Sequence, residues 1–203
     1  MTKSIDAADW LTEDTMEETT CMQLPDVTGF RYIPSFVLAD EAQALEGLFK
    51  SRTLSYRQIL MRGQVAKRTV CCFGFDYVYT RRAVSMTEPM PAELLRLRER
   101  AEAAVNDGSD LGQAIVTSYP PGAGINWHRD APIFGPSIVG VSFGSGARLL
   151  LKCGKVIHRV HLAPRSAYVL SGPARYEWMH RIAPVGEQRY SVTFRSLAGA
   201  DIT

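Results

Sequence analysis

The sequence predicts a mainly β fold of the α+β class, in which short antiparallel strands form a sandwich or jelly roll behind supporting N-terminal helices. From residue 114 onward, short β-rich runs alternate with Gly and Pro turns, a spacing typical of such folds. Earlier in the chain, segments 39–50 and 92–105 carry apolar residues at helical spacing, which predicts two helices. The predicted strands cover residues 114–119, 137–143, 148–152, 156–162, 167–170, 178–181 and 190–195.

The 203 residues are enough for one structural domain with a substantial core. We expect residues 1–22 to form an acidic, flexible leader. Residues 23–110 would form an N-terminal extension, and residues 111–203 the jelly-roll core that folds with it as one domain. Within the extension, segment 71–80 alternates aromatic and other residues, which predicts a single strand with one aromatic face.

Charge is distributed unevenly along the chain, although the net charge is only +2. Residues 1–20 contain six acidic residues and one basic residue, so the remainder has 22 basic and 15 acidic residues, or +7. A domain with that charge can attract a polyanion. The same charge would also result from an ordinary solvated basic surface that has no polyanionic partner. The chain has no apolar run of about 20 residues and no signal-peptide pattern. We therefore expect a cytoplasmic protein, or a nuclear one in a eukaryote, that does not enter membranes.

The cysteines do not form a metal-binding pattern. No C-x-x-C pair occurs among them, and the vicinal pair would point to opposite faces of a strand. Free thiols in a reducing compartment are therefore expected rather than zinc. The four are Cys21, Cys71, Cys72 and Cys153.

A possible metal site is indicated by His128 and Asp130, which lie two residues apart and so would share one face of an extended segment. Two histidines and one carboxylate form the ligand set of non-haem Fe(II) sites with open positions. His180 is the candidate third ligand. His158 and His161 compete with it, but their spacing of three would place them on opposite faces of a strand. Alternatively, His128 would bond Asp130 at the surface and His180 would be a core histidine.

A possible anion site is indicated by segment 189–195. Alternation places Arg189, Ser191, Thr193 and Arg195 on one face of a strand. Two arginines and two hydroxyls would be costly in an apolar core. They suit a bound dicarboxylate, since arginine recognises carboxylates by paired hydrogen bonds. The alternative is an edge strand with solvated arginines.

The chain resembles the AlkB-type Fe(II)/2-oxoglutarate dioxygenases over roughly residues 60–197. The resemblance lies in five segments, of which the last is highly specific to this family. They are Ser118-Tyr119-Pro120-Pro121-Gly122, His128-Arg129-Asp130, Val141-Ser142-Phe143-Gly144, His180-Arg181-Ile182 and Arg189-Tyr190-Ser191-Val192-Thr193-Phe194-Arg195. The family fold is a double-stranded β-helix, in agreement with the jelly roll predicted from strand spacing.

The resemblance implies a site residue by residue. His128, Asp130 and His180 would bind Fe(II). Arg189 would pair with the distal carboxylate of the cosubstrate 2-oxoglutarate, Thr193 and Arg195 would support that end of the pocket, and Tyr119 would donate its hydroxyl. The family usually has Asn where this chain has Thr117 and Ser191. The implied reaction uses O2, converts 2-oxoglutarate to succinate and CO2, and oxidises a C–H bond of the substrate.

The expected substrate is an alkylated base in DNA or RNA, with an N-methyl or etheno group removed as an aldehyde. In this family a lid before the jelly roll grips nucleic acid and contacts a flipped base. Its candidates here are basic and aromatic, although an aromatic face is often core, especially at Phe73 and Phe75. The family commonly has a base-reading acid where this chain has Pro132. The lid candidates are Arg68, Phe73, Tyr77 and Tyr79, with Lys67, Arg81 and Arg82 nearby.

Two other function classes remain open at this stage. A 2-oxoglutarate oxygenase acting on a protein or a small molecule would not need the basic lid, so replacing Arg68, Arg81 and Arg82 would leave its turnover unchanged. A non-catalytic jelly-roll binding module would neither bind Fe(II) nor turn over 2-oxoglutarate. We expect a monomer.

Overall fold

The computed structural model describes residues 22–24, 26–61, 64–78 and 83–198. Its helices are α1 (Ala39–Lys50), α2 (Ala92–Val105) and α3 (Gly172–Tyr176). The strands of the N-terminal extension are β1 (Met22–Gln23), β2 (Phe30–Ile33), β3 (Arg57–Met61), β4 (Gln64–Phe73), β5 (Phe75–Val78) and β6 (Ala83–Met86). Those of the core are β7 (Gln113–Tyr119), β8 (Ile125–His128), β9 (Phe134–Gly144), β10 (Ala147–Cys153), β11 (Val156–Leu162), β12 (Ala167–Leu170), β13 (Met179–Ile182) and β14 (Arg189–Leu197).

Two antiparallel sheets face each other and form the predicted jelly roll. The larger has eight strands in the order β1-β2-β12-β9-β14-β7-β4-β3, and the smaller has four in the order β11-β10-β13-β8. The fold prediction of a double-stranded β-helix with supporting helices is confirmed. Strands β2, β3 and β4 of the N-terminal extension lie in the same large sheet as the core strands, so hydrogen bonding continues from the extension into the jelly roll.

Each face of the large sheet has its own hydrophobic core. On the side that faces the helices, Leu45 and Phe49 of α1 and Leu94 and Leu97 of α2 pack against the large sheet. The Phe49 ring meets Phe143 edge-to-face at 5.2 Å. On the inner face, a second core fills the space between the two sheets. Burial of one such side chain stabilises by roughly 1.5–3 kcal/mol. The helices therefore brace the back of the sheet, and its front faces the small sheet.

Both predicted long helices are confirmed with the predicted bounds. Helix α2 ends where Asn106 adopts a left-handed conformation with φ of 52°, as the following Asp-Gly sequence indicates. The short helix α3 was not predicted, because five residues are too few to show a helical period. Among the described residues, no helix combines the length and the apolar character needed to cross a bilayer.

The predicted single strand over residues 71–80 is wrong. It is divided at Gly74, whose φ of +79° leaves the β region, into the end of β4 and the separate strand β5, which pairs with β6 in its own sheet. A Cβ at Gly74 would lie 2.0 Å from the carbonyl oxygen of Gly112, so the close approach requires glycine. The break sends Phe73 to the helix-facing core and Phe75 to the core between the sheets. Tyr79 lies outside the described residues, as do residues 1–21 of the predicted leader.

Candidate metal and cosubstrate site

The three predicted metal ligands come together between the sheets. His128 ends β8, His180 lies in β13, and the two are direct partners in the strand register. Asp130 follows β8 after one residue. One ligand atom from each residue lies within 4.8 Å of the others, and the two imidazole rings are 4.2 Å apart. The competing histidines, His158 and His161, lie in β11 at the far edge of the small sheet, so the structure brings His180 and not them to Asp130.

Both histidines are prepared to offer a nitrogen lone pair. Burial, reinforced by His128, lowers the pKa of His180 to about 3, so its imidazole is neutral at physiological pH. The Nδ1 atom of His128 lies 2.8 Å from the carbonyl oxygen of Asn126. Because a carbonyl only accepts, Nδ1 carries the proton and Nε2 is left unprotonated when the ring is neutral. Neutral imidazoles are the form that binds metal ions.

Asp130 is held as a carboxylate by the cations around it. Its burial opposes ionisation, but the guanidinium groups of Arg195, first, and of Arg175 bring its pKa below the ordinary value. The Nη1 atom of Arg195 donates a hydrogen bond of 2.8 Å to Oδ1 of Asp130, while Oδ2 lies 3.5 Å from Nε2 of His180. One carboxylate and two imidazoles form the donor set that suits Fe(II).

Arg195 does not lie at the end of the pocket where it was expected. It was expected to support the distal end of a bound dicarboxylate beside Arg189, but it lies at the metal end and contacts Asp130. Six residues along a strand span about 20 Å, which separates the two guanidinium groups along β14. The Nε atom of Arg195 donates to Oε1 of Gln113 at 2.8 Å, and its guanidinium lies 3.7 Å from the centre of the Phe134 ring. These contacts fix it in place.

Arg189 has a buried guanidinium with unused donors. Its side chain is 1% exposed and lies over the Tyr119 ring at 4.8 Å. The Nη2 atom donates to Oγ of Ser142 at 3.0 Å, but Nε and Nη1 have no hydrogen-bond partner among the described residues. A buried charge without a partner is costly. A carboxylate accepting paired hydrogen bonds from Arg189 would remove that cost.

A polar stripe joins Arg189 to the metal ligands along the inner face of the large sheet. The register pairs Arg189 with Tyr119, Ser191 with both Thr117 and Ser142, and Arg195 with Gln113. The predicted alternation of a polar and an apolar face along β14 is confirmed, since Tyr190, Val192 and Phe194 pack toward the helices on its other face. Thr193 lies on the stripe between Ser191 and Arg195. The stripe thus has hydroxyl groups between a cation at one end and the metal ligands at the other.

Three polar contacts of the site were not predicted. Ser142 is part of a segment that carries the family resemblance, without a predicted role, and it contacts Arg189. Gln113 holds Arg195. Arg175, in the unpredicted helix α3, is 2% exposed and donates to the carbonyl oxygens of Asp130 and Ala131 at 3.0 and 2.8 Å. Arg175 thereby fixes the loop that presents Asp130.

The predicted lid residues divide between the site and the core. The Tyr77 ring meets Phe134 edge-to-face at 5.8 Å, beside Arg195. The Nη1 atom of Arg68 donates to the carbonyl oxygen of Gly124 at 3.3 Å, in the loop that leads to β8. Phe73 is 6% exposed in the helix-facing core, on the opposite side of the large sheet from the triad, so the core alternative holds for it. Pro132 lines a cleft of about 280 Å³ together with Arg129, Asp130, Ala131, Arg175 and Tyr176.

The whole of this site lies within a match to a known family. The model described as the 2OG-Fe(II) oxygenase superfamily matches residues 29–195. The chain belongs to this superfamily. The oxygenase thus has Fe(II), 2-oxoglutarate and O2 as its cofactors. The group of His128, Asp130 and His180 fits the first, and the donors of Arg189 that lack a partner among the described residues fit the second.

Three curated relatives resemble this oxygenase over part of their length. Uncharacterized protein L905 of Acanthamoeba polyphaga mimivirus is 34% identical over 42% of this chain and 48% of its own. The Arabidopsis thaliana alkylated DNA repair protein ALKBH8 homolog is 27% identical over 77% and 51%. The Mus musculus tRNA (carboxymethyluridine(34)-5-O)-methyltransferase ALKBH8 is 31% identical over 58% and 18%. The chain therefore spans about half or less of the length of these relatives.

Solved structures show the same fold. The structure of OsALKBH1 matches the oxygenase with a TM-score of 0.69 and 15% identity, covering 87% of this chain and all of that one. A Pseudomonas putida prolyl-4-hydroxylase matches with a TM-score of 0.60 and 18% identity, covering 84% and 93%. Together with the ALKBH8 relatives, these matches confirm the resemblance to AlkB-type oxygenases.

Proposed function

We propose that the chain removes alkyl groups from bases in DNA or RNA by oxidation. For an N-methyl base, one C–H bond becomes C–OH while O2 and 2-oxoglutarate yield succinate and CO2. The N–CH2OH group then separates into N–H and formaldehyde, so one oxygen atom leaves in the aldehyde and the other in succinate. An etheno adduct would release its two-carbon bridge as a dialdehyde.

The residues of the stripe have distinct tasks in this proposal. His128, Asp130 and His180 would hold Fe(II), which with 2-oxoglutarate and O2 supplies the oxidising chemistry. Arg189 would bind the distal carboxylate of the cosubstrate through Nε and Nη1, and Tyr119, beneath that guanidinium, would donate its hydroxyl. Thr117, Ser191 and Thr193 would line the length between the two ends. Because most of these side chains are buried, they would keep water from a bound cosubstrate.

The position of Tyr77 is the observation that carries the substrate class. Tyr77 contacts Phe134, Phe134 lies under the Arg195 guanidinium, and Arg195 bonds Asp130. An aromatic ring of the lid is therefore separated from the metal ligand by only two side chains. A flipped base stacked beside this ring would bring its alkyl group toward the site. Arg68 on the neighbouring strand β4 would contact the phosphate backbone.

Pro132 bears on which lesion is preferred. A prolyl ring cannot hydrogen-bond an amino or protonated edge of a base, so recognition at this position would rest on shape. This favours including etheno adducts and methylated RNA among the substrates tested. The family of ALKBH-named relatives includes one named for DNA repair and one named for tRNA modification, which supports testing both nucleic acids.

The test is incubation of the full chain with Fe(II), 2-oxoglutarate, air and oligonucleotides that each carry one N-methyl or etheno base. We expect the mass of at least one oligonucleotide to fall by its alkyl group. His180→Ala should abolish the loss, whereas His161→Ala, at an exposed position in β11, should match the parent. Succinate formation with no change in any DNA or RNA would contradict dealkylation and would favour a protein or small-molecule substrate.

A further inference from the structure

The outward-facing side of the small sheet is basic, and we call it the outer face. Leu149 and Leu151 of β10 point into the core between the sheets, so their neighbours point outward. The register then aligns Arg159 of β11, Leu150 of β10 and Arg181 of β13 in one row. Further outward residues of β10 and β8 complete the face. They are Arg148, Lys152 and Trp127.

No acidic residue offsets these charges along a long part of the chain. Residues 131–176 contain no Asp or Glu and six basic residues, Arg148, Lys152, Lys155, Arg159, Arg165 and Arg175. Arg148, Lys155 and Arg159 are exposed. Within the described ranges, none of the basic residues of the outer face forms an ion pair with a carboxylate. Carboxylates of the protein therefore do not neutralise the positive potential of this face, and such a potential suits an anionic partner.

Trp127 orders two of these cations. The Arg181 guanidinium lies 5.6 Å from the centre of the Trp127 ring, and Nζ of Lys152 lies 5.9 Å from it. Both contacts are within the usual range of cation–π interactions. Two flexible side chains from different strands are thus gathered at one aromatic ring, and less conformational freedom remains to be lost when they bind an anion.

The outer face lies on the same two strands as the metal ligands. Trp127 precedes His128, and Arg181 follows His180, so alternation turns the ligands inward and these two outward. Strand β8 is the edge of the small sheet. Exposed Arg129, beside Asp130 at the cleft, stands between the outer face and the site. A linear polyanion can therefore pass around this edge from the cleft onto the outer face.

We propose that the outer face binds the phosphate backbone of the nucleic-acid substrate beyond the alkylated base. This inference rests on the proposed function, since it places the flanking nucleotides of the same substrate. Arg159, Arg181 and Lys152 contact successive phosphates, and the contacts are independent of sequence. Lid residue Arg68 holds the strand on one side of the target base, and the outer face holds it on the other.

The experiment measures binding of an unmodified, fluorescent single-stranded oligonucleotide to the full chain at several salt concentrations. The variant Lys152→Ala/Arg159→Ala removes two cations that are not adjacent in sequence to a metal ligand. Its control is Lys50→Ala/Arg96→Ala, which removes equal charge from exposed positions of α1 and α2. Two lost phosphate contacts should weaken binding on the order of tenfold at ~0.1 M salt and reduce the salt slope by about 1.4. The control should bind with an affinity close to that of the parent. Thermal unfolding verifies that both variants are folded.

Three results would overturn the inference. The first is an unchanged affinity and salt slope in Lys152→Ala/Arg159→Ala. The second is an equal loss in the control, which would indicate net charge alone. The third is binding of phosphatidylserine vesicles that the variant loses while it keeps oligonucleotide binding. Because the oligonucleotide carries no lesion, the binding result stands whether or not dealkylation is detected, so failure of the proposed function is recognised separately.

Discussion

Arg195 and Asp130 form a buried ion pair in which Nη1 donates to Oδ1 at 2.8 Å, with side chains only 7% and 9% exposed. The pair links β14, an inner strand of the large sheet, to Asp130, which follows β8 of the small sheet. Its position shows that the two arginines of β14 lie at opposite ends of the site. Nε and Nη1 of Arg189 have no partner among the described residues, whereas Arg195 donates to Asp130, a proposed metal ligand.

Replacement of Arg195 by Met should weaken Fe(II) binding. Without the guanidinium, Asp130 loses the cation that keeps it ionised and correctly oriented, and loss of such a partner typically costs 10–100-fold in metal affinity. Anaerobic Fe(II) titration measures the effect. Arg195→Lys, which keeps the charge but not the planar geometry, should give an intermediate value. Parent-like affinity in Arg195→Met would show that the ion pair does not serve the metal.

Replacement of Arg189 by Ala should raise the KM for 2-oxoglutarate by about 100-fold, because a buried, paired carboxylate contact is lost. The readout is succinate formation in the absence of nucleic acid. Ser142→Ala removes a single hydrogen bond from Arg189 and should raise KM only severalfold. The assignment would fail if the two variants had the same KM as the parent.

Substitution of Phe73 should mainly affect stability, whereas substitution of Tyr77 should mainly affect substrate turnover. Phe73→Ala leaves a cavity in the helix-facing core and should lower the free energy of unfolding by about 3–5 kcal/mol. Tyr77→Ala should lower it by less than about 2 kcal/mol, since this ring is only partly buried, and should reduce turnover of an alkylated oligonucleotide. Urea unfolding and oligonucleotide turnover are compared in the two variants. If Phe73→Ala instead reduced turnover with little loss of stability, Phe73 would belong to the substrate-binding surface and not to the core.

Arg175→Met should disturb the site without touching the metal. It leaves the carbonyl oxygens of Asp130 and Ala131 without their donor, at an expected cost of about 1–3 kcal/mol for each buried group that stays unsatisfied. The loop should then hold Asp130 less firmly, so Fe(II) affinity falls together with stability. Arg96→Met, at an exposed position of α2, is the control and should change neither. A loss of stability with unchanged Fe(II) affinity would limit Arg175 to a structural role.

The sequence was informative where the physical signal is periodic. Helices α1 and α2 were predicted with their bounds because their apolar residues recur at helical spacing, and the two faces of β14 were separated by simple alternation. The break at Gly74 was missed, because the aromatic alternation continues through it and only the approach of Gly112 forces the turn. Strand β3 and most of β4 mix polar, basic and apolar residues. They show no clear period before the pairing of β3 with β4, and of β4 with β7, is known.

The features of the site that could not be predicted from the sequence depend on contacts between segments that are distant along the chain. His128, Asp130 and His180, which the structure brings together, could be predicted as candidate metal ligands because their donor types are rare and chemically specific. The partner of Arg195 depends on the register of β14 and on the loop after β8, and neither can be inferred from local pattern. For the same reason, Arg175 in α3 could not be connected to Asp130 before the fold was known.

The most direct test of oxidative dealkylation counts formaldehyde and succinate in the same reaction with an N-methylated oligonucleotide. We expect formaldehyde to equal the methyl groups lost, and succinate to rise by at least the same amount above its rate without oligonucleotide. The Asp130→Ala variant should produce neither. Succinate formed at one rate with and without the oligonucleotide, and no formaldehyde, would contradict the proposal.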